Sequence, residues 1–82
     1  MTVLRVSIIS PEAILFEGES NSVVAPAFDG EVGILTGHAP MVTTLGAGTL
    51  RLGDGQSFRV EGGFVQVADN EVRVVTEKAS RA

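Results

Sequence analysis

The residues of this sequence that could take part in catalysis are one histidine and two nearby acids. His38 could act as a general base, with Asp29 or Glu31 orienting its ring. The chain has no cysteine, and its serines and threonines carry no nucleophile motif: Gly37-His38-Ala39-Pro40 lacks the serine of a nucleophile elbow. A hydrolase built on His38 and Glu31 is therefore the least favoured of the three functions that we consider for this chain.

The two acids also raise the question of a metal or phosphate site. Asp29 and Glu31 are two residues apart, so in a strand their side chains would point the same way and could hold a metal weakly. A solvated loop with two acids is the more common outcome. The glycine-rich stretches Gly30-Glu31-Val32-Gly33 and Gly46-Ala47-Gly48 precede no helix, which argues against a phosphate loop. We therefore expect no catalytic residue, no metal site and no cofactor.

Charge is distributed unevenly along this chain of 82 residues, whose formal net charge is −4. Between Pro11 and Leu50 the only charged residues are the acids Glu12, Glu17, Glu19, Asp29 and Glu31. All six Lys and Arg residues lie outside that window. An acidic stretch argues against nucleic acid and against anionic lipid as a direct partner. It favours a basic or polar protein surface, although the same acids would also keep a small domain soluble.

Alternation of apolar and polar residues recurs along the chain and predicts about eight to ten short strands. Leu4, Val6 and Ile8, for example, would share one face of a strand. Turn signals separate the runs at Gly53-Asp54-Gly55, Gly62-Gly63 and Asp69-Asn70. No stretch has a sustained helical period. The pattern predicts one all-β domain, either a sandwich or a closed barrel.

The segment from Ala25 to Pro40 stands apart because it concentrates two prolines, three glycines and the histidine. This composition predicts a stiff, projecting loop suited to recognition, following a strand that Pro26 stops. His38 would bond a backbone carbonyl and close a turn, contact a partner, or do both. A free-standing sandwich that binds a ligand or protein is the alternative function, but the chain has no Trp or Tyr for stacking on a glycan.

Three stretches of this segment, Val24-Ala25-Pro26, Asp29 to Leu35 and Gly37-His38-Ala39-Pro40-Met41, resemble the signature of the epsilon subunit of rotary F-type ATP synthases. Other stretches that resemble the family are Gly48-Thr49-Leu50-Arg51, Glu61 to Val67 and Val72 to Ala79. The resemblance covers nearly the whole chain, in order and with similar spacing. One departure is Thr36, which stands where the family usually has proline, and another is that no pair of C-terminal helices follows the sandwich.

The resemblance implies an all-β fold, a ten-stranded β-sandwich of two antiparallel sheets. Together with the polar C-terminal sequence, it predicts a single domain over residues 1–77 and a polar tail over 78–82, without the C-terminal helical hairpin into which family members commonly continue. It also implies a non-catalytic subunit of the central stalk, which binds the gamma subunit and the c-ring and helps couple proton flow to ATP synthesis. Such a subunit would be peripheral, on the cytoplasmic side of the bacterial cell membrane, as part of the ATP synthase complex.

The resemblance also assigns individual residues. The loop directed toward the polar, usually basic loops of the c-ring would hold Asp29, Gly30 and Glu31. The region facing the gamma subunit would hold Ser10, His38, Met41 and Thr43. Packing inside the domain is the role expected for Val42 and Leu45.

Overall fold

The fold, taken from a computed structural model, is described for residues 3–82, so the first two residues of the predicted domain lie outside the described range. It consists of ten strands: β1 (Leu4–Ile9), β2 (Ile14–Ser20), β3 (Ser22–Ala27), β4 (Gly30–Leu35), β5 (Met41–Thr44), β6 (Ala47–Leu52), β7 (Ser57–Glu61), β8 (Phe64–Ala68), β9 (Glu71–Val75) and β10 (Lys78–Arg81). Sheet 1 has the order β2-β1-β9-β8-β5, and sheet 2 has the order β10-β7-β6-β3-β4. The predicted ten-stranded β-sandwich is confirmed.

Side chains that alternate inward along each strand form the core between the two sheets. In β1, Leu4, Val6 and Ile8 are buried, as their spacing predicts. Phe58 of β7 is fully buried, and the ring of half-buried Phe16 meets it edge-on with the ring centroids 5.9 Å apart. Because each Å² of apolar surface removed from water contributes about 25 cal/mol, this alternation is the main source of the domain's stability.

One strand pair differs from the expected antiparallel arrangement. β1 lies parallel to β9, with Arg5 opposite Glu71 and Ile9 opposite Val75, so sheet 1 is mixed. Every strand pair of sheet 2 is antiparallel. Parallel neighbours need a long connection, and here all the strands from β2 to β8 separate the two. Alternation alone does not reveal strand direction, because the side-chain period is the same in both arrangements.

The residues predicted as a polar tail instead form β10, which pairs antiparallel with β7. Arg81 explains part of this: its guanidinium lies 5.2 Å from the centroid of the Phe58 ring. The same guanidinium donates to Gln56 Oε1 at 3.3 Å and to the carbonyl of Leu15 in β2 at 3.4 Å. Arg81 therefore connects the two sheets at the β2 and β10 edges, a role that its polar sequence context conceals.

The segment from Ala25 to Pro40 is mostly sheet, not loop. β3 continues through Pro26 to Ala27, a two-residue turn follows, and β4 runs back beside it, so that the irregular part is confined to residues 36–40. Proline is tolerated in β3 because the ladder between β3 and β6 extends no further than Val24 opposite Arg51. The prolines and glycines of this segment shape a hairpin at the edge of sheet 2.

The other predicted turns are present. Asp69 and Asn70 have φ angles of 51° and 62°, the left-handed conformation expected of this hairpin turn between β8 and β9. Gly55 has a φ of 97° in the turn between β6 and β7. In that turn, hydrogen bonds from the side chain and backbone of Gln56 lower the pKa of the Asp54 carboxyl below its ordinary value.

The chain changes sheets at one end of the sandwich between β5 and β6, between β7 and β8 and between β9 and β10, and the last two of these crossings lie close together. Gly62-Gly63 carries it from β7 to β8, and Thr76 lies between β9 and β10. Thr76 is buried, and its hydroxyl lies 3.1 Å from the carbonyl oxygen of Glu61 and 2.9 Å from that of Lys78, so it can donate to either. Both crossings are thus joined through one side chain.

Candidate partner-binding surfaces

The turn between β3 and β4 projects from the edge of sheet 2 and carries the predicted acids. Phe28 is 70% exposed at this tip, and Asp29 and Gly30 are exposed beside it. Glu31 lies at the start of β4, where its carboxylate is 3.6 Å from the guanidinium of Arg51 on β6. Both side chains are more than half exposed, so this pair contributes little to stability, but it offsets the charge of Glu31.

His38 belongs to the turn that links β4 to β5. Its backbone N–H donates to the carbonyl of Leu35 at 3.1 Å, and Gly37 has a φ of 83°, which together define a type II turn. The ring Nδ1 lies 2.7 Å from the carbonyl oxygen of Ala39, and a carbonyl only accepts, so Nδ1 carries the proton. The expectation that His38 bonds a carbonyl and closes a turn is confirmed.

Strand β5 presents different residues from those expected. Met41 and Thr43 are half-buried and lie opposite Val67 and Val65, whose side chains are buried in the core. Val42, which the sequence analysis assigns to packing, is 66% exposed, so that assignment is wrong. The companion assignment of Leu45 is confirmed, since this side chain is buried. Of the residues in β5, Val42 and Thr44 face outward from sheet 1.

Ser10 closes the turn between β1 and β2. It is buried, and its hydroxyl is 3.3 Å from both the carbonyl oxygen and the backbone nitrogen of Ala13. Ser10 follows the last residue of β1, whereas Gly37, next to His38, bonds Asn70 near the other end of that strand. Ser10 and Arg5, whose N–H bonds the carbonyl of Asn70, are five residues apart along this strand, or about 16 Å at roughly 3.3 Å per residue. The structure therefore does not bring the four predicted gamma-facing residues together.

A continuous row of mostly apolar side chains crosses one end of sheet 1. The cross-strand pairs run from Thr44 to Phe64, Val75, Ile9 and Ile14, and the backbone N–H of Phe28 donates to the carbonyl of Thr44 at 3.1 Å. We call this row the apolar strip: Phe28, Thr44, Phe64, Val75, Ile9 and Ile14. At about 4.8 Å per strand, the four steps between its five strands span roughly 19 Å, and Phe28 extends the strip beyond β5.

The large side chains of the apolar strip are accessible to solvent. Phe28 is 70% exposed, Ile14 60% and Phe64 40%, which are high values for large apolar side chains. A shallow depression borders the strip residues Ile9, Phe64 and Val75, and its other walls include Ser10, Pro11 and Gly63. The signal that could have revealed the strip is adjacent apolar pairs such as Phe64-Val65 and Val74-Val75, in which one member must face outward.

Apart from Val42, the rest of the outer face of sheet 1 is mostly polar. A groove of about 440 Å³ is lined there by Arg5, Ser7, Glu17, Gln66 and Arg73, among others. Its positive and negative side chains alternate between neighbouring strands, as in Arg5 opposite both Glu19 and Glu71. The outer face of sheet 1 thus has an apolar end and a charged end.

The positions of His38 and Glu31 do not support the hypothesis of a hydrolase built on these two residues. Glu31 and His38 lie near opposite ends of β4, at least about 13 Å apart along the extended chain. The ring of His38 bonds a carbonyl and not a carboxylate. Within residues 3–82 no three His, Asp or Glu side chains group closely enough to hold a metal ion. The same range contains no helix with the length and apolarity required to span a membrane.

The fold and its exposed strip define a small all-β sandwich domain with an apolar patch on the outer face of one sheet. Residues 3–82 match the family model described as the beta-sandwich domain of the ATP synthase delta/epsilon chain. The chain belongs to this family, and the resemblance drawn from its sequence is confirmed.

Individual members of this family are similar to the chain in sequence. The chain is 49% identical over 77 residues to the ATP synthase epsilon chain of Leptospira borgpetersenii, covering 90% of this chain and 61% of that one. It is 46% identical over 81 residues to the epsilon chain of Desulforamulus reducens, covering 95% of this chain and again 61% of the relative. This chain thus spans about three fifths of the length of these curated relatives.

A solved structure shows the same fold. A chain of the Euglena gracilis mitochondrial ATP synthase, in a structure of OSCP, F1 and the c-ring, superimposes with a TM-score of 0.89 at 22% identity. The match covers 99% of this chain and 54% of the Euglena chain. A chain from the central stalk and c-ring of the Tetrahymena thermophila enzyme gives 0.79 at 17% identity, covering 94% and 65% of the two chains.

Proposed function

We propose that this chain is a non-catalytic rotor subunit of an F-type ATP synthase, which binds the gamma subunit and the c-ring and helps couple proton flow to ATP synthesis. Its membership in the delta/epsilon family supports this, as do the central-stalk and c-ring assemblies named for its structural neighbours. The subunit acts peripherally, on the cytoplasmic side of the bacterial membrane, as part of the complex. It carries no reacting group and no cofactor, and its work is mechanical attachment.

The gamma subunit docks on the apolar strip. The exposure of the strip is the observation that carries this proposal, because a stable protein contact buries a central apolar patch with aromatic anchors inside a polar rim. The strip offers Phe28 and Phe64 as anchors, and the polar groove beside it forms one side of the rim. Of the residues assigned from the resemblance, Ser10 borders the depression next to the strip, while His38 extends the contact toward the opposite end of sheet 1.

Met41 and Thr43 contribute to this contact from the edge. Both are half-buried on the inner side of β5, which is the edge strand of sheet 1, so a partner reaching round that edge would touch them. Val42 lies between them and faces outward at 66% exposure, beside the strip. We therefore assign the direct contact on the outer face of β5 to Val42 and give Met41 and Thr43 the role of edge contacts.

The c-ring contacts the hairpin tip formed by Asp29, Gly30 and Glu31. The tip projects from the sheet edge and its acids would meet basic groups of the ring loops. Asp29 is the stronger candidate for this charge contact, because the charge of Glu31 is offset by Arg51. The tip also adjoins one end of the apolar strip through Phe28, so the two partners would lie next to each other.

The proposed function is tested by binding of the purified chain to the gamma subunit of the same organism. Isothermal titration calorimetry should give saturable binding with a negative heat-capacity change, which is the mark of apolar burial. Co-purification of the c-ring with the gamma complex should then depend on this chain. Failure to bind gamma at concentrations up to about 100 μM would contradict the proposal.

Reversing the charge of the tip should weaken attachment to the c-ring in a salt-dependent way. Asp29→Lys is expected to lower the affinity of the gamma complex for detergent-solubilised c-ring about tenfold in 50 mM salt and much less in 0.5 M salt, because ions screen exposed charges. Glu19→Lys on β2 makes the same charge change at an exposed site away from the tip. Equal losses in both variants would show that net charge, and not the tip, sets the affinity.

A further inference from the structure

One side chain connects the His38 turn to the body of sheet 1. The backbone N–H of Gly37 donates to Oδ1 of Asn70 at 2.7 Å. Asn70 itself lies in the turn between β8 and β9, and its carbonyl accepts the N–H of Arg5 in β1 at 2.8 Å. Three segments distant in sequence therefore meet at Asn70.

The His38 turn, residues 36–40, has little other support. It runs between β4 and β5, which are the edge strands of the two sheets. Its other hydrogen bonds are local: the His38 N–H bonds Leu35, and the His38 ring bonds Ala39. Among the hydrogen bonds described for residues 3–82, the one to Asn70 is the bond that ties this turn to a residue outside 35–39.

We infer that Asn70 is a positioning residue that holds the His38 turn in the conformation presented to the gamma subunit. This inference rests on the proposed function, because it concerns how a gamma-facing segment is arranged. A turn that is already ordered does not lose conformational freedom on binding, so the tether raises affinity without touching the partner. Asn70 suits this role because it tolerates a φ of 62° and also supplies a side-chain acceptor.

The test distinguishes loss of the hydrogen bond to the Asn70 side chain from disturbance of the turn between β8 and β9, which contains Asn70. Asn70→Gly keeps a residue that accepts positive φ but removes Oδ1, whereas Asn70→Asp keeps an oxygen acceptor at the same place. Asp69→Gly is the matched control, since Asp69 has a φ of 51° in the same turn and is exposed. Two quantities are measured for each chain: the exchange rate of the Gly37 amide by NMR and the dissociation constant for the gamma subunit.

We expect Asn70→Gly to speed exchange of the Gly37 amide and to raise the gamma dissociation constant about three- to tenfold, the effect of one lost hydrogen bond. Asn70→Asp and Asp69→Gly should behave like the unsubstituted chain in both measurements. Unchanged Gly37 exchange in Asn70→Gly would overturn the tether, and equal loss of gamma affinity in Asp69→Gly would overturn its positioning role. Absence of gamma binding by the unsubstituted chain would overturn the proposed function, while Gly37 exchange would still decide the tether.

Discussion

Gly63→Ala should lower the free energy of unfolding by at least about 3 kcal/mol. A Cβ at this position would overlap the carbonyl oxygen of Val75, and the φ of 96° is one that L residues rarely adopt. Movement of the backbone to relieve this overlap would break the hydrogen bond in which the carbonyl of Gly63 accepts the N–H of Leu45 at 2.9 Å. Gly63 also ends the passage from sheet 2 to sheet 1, directly before β8, so a shift here would disturb both sheets.

Urea unfolding of the purified chain, followed by far-UV circular dichroism, measures this loss. Gly33→Ala is the matched control, since Gly33 lies in edge strand β4 and a Cβ there would meet no atom within 4 Å. The control should unfold within about 0.5 kcal/mol of the unsubstituted chain. A small domain has few kcal/mol to lose, so Gly63→Ala chains that are unfolded without urea would also fit the expectation. Equal midpoints for the two variants would contradict it.

The strands, their buried side chains and the tight turns could be predicted from the sequence because the patterns that indicate them are local. Alternating residues such as Leu4, Val6 and Ile8 identify strands, and the residues of tight turns, such as Asp69-Asn70, are restricted by their own backbone angles. Neither signal depends on which strand lies next to which. Most of the strands and their short turns are therefore recognisable, whereas β10, predicted as a polar tail, and the parallel pairing of β1 with β9 are not.

Which side chains are exposed, and which meet on the surface, depends on how the strands pair and in which register, and the sequence does not show this. Strand β5 has the sequence Met-Val-Thr-Thr, which offers an apolar side chain on either face, so nothing in it places Val42 outside. Glu31 and Arg51 are twenty positions apart and meet only because β3 lies between their strands. The window of five acids is thus less acidic in space than along the chain. The apolar strip is likewise assembled from five strands and one turn.

Family resemblance and geometry contribute different parts of the functional argument. The resemblance pointed to Ser10 and His38, which the structure places at opposite ends of sheet 1. Geometry alone shows that the apolar strip lies at the Ser10 end of this face and that the charged groove continues from it toward the His38 end. A surface that spans sheet 1 explains how distant positions can belong to one contact, since a typical interface covers about 800 Å² on each partner.

Phe64→Asp should lower the affinity for the gamma subunit at least about 30-fold. Phe64 lies in the middle of the apolar strip, flanked by Thr44 and Val75, and a central aromatic residue commonly contributes 2 kcal/mol or more to an interface. The substitution would bury an unpaired carboxylate against apolar side chains of the partner. Since Phe64 points away from the core and is 40% exposed, the free energy of unfolding should change by less than about 1 kcal/mol.

Calorimetric titration with the gamma subunit measures the loss, and urea unfolding of the same preparation shows that the fold is intact. Thr49→Asp is the matched control, because it adds the same charge to a half-buried position on β6 in sheet 2, opposite Arg59. Its affinity for gamma should stay within about twofold of the unsubstituted chain. If both variants bind gamma equally, the outer face of sheet 1 is not the docking surface. Loss in Phe64→Asp alone would locate the contact on the apolar strip, because the two chains differ in the site of the charge and not in its sign.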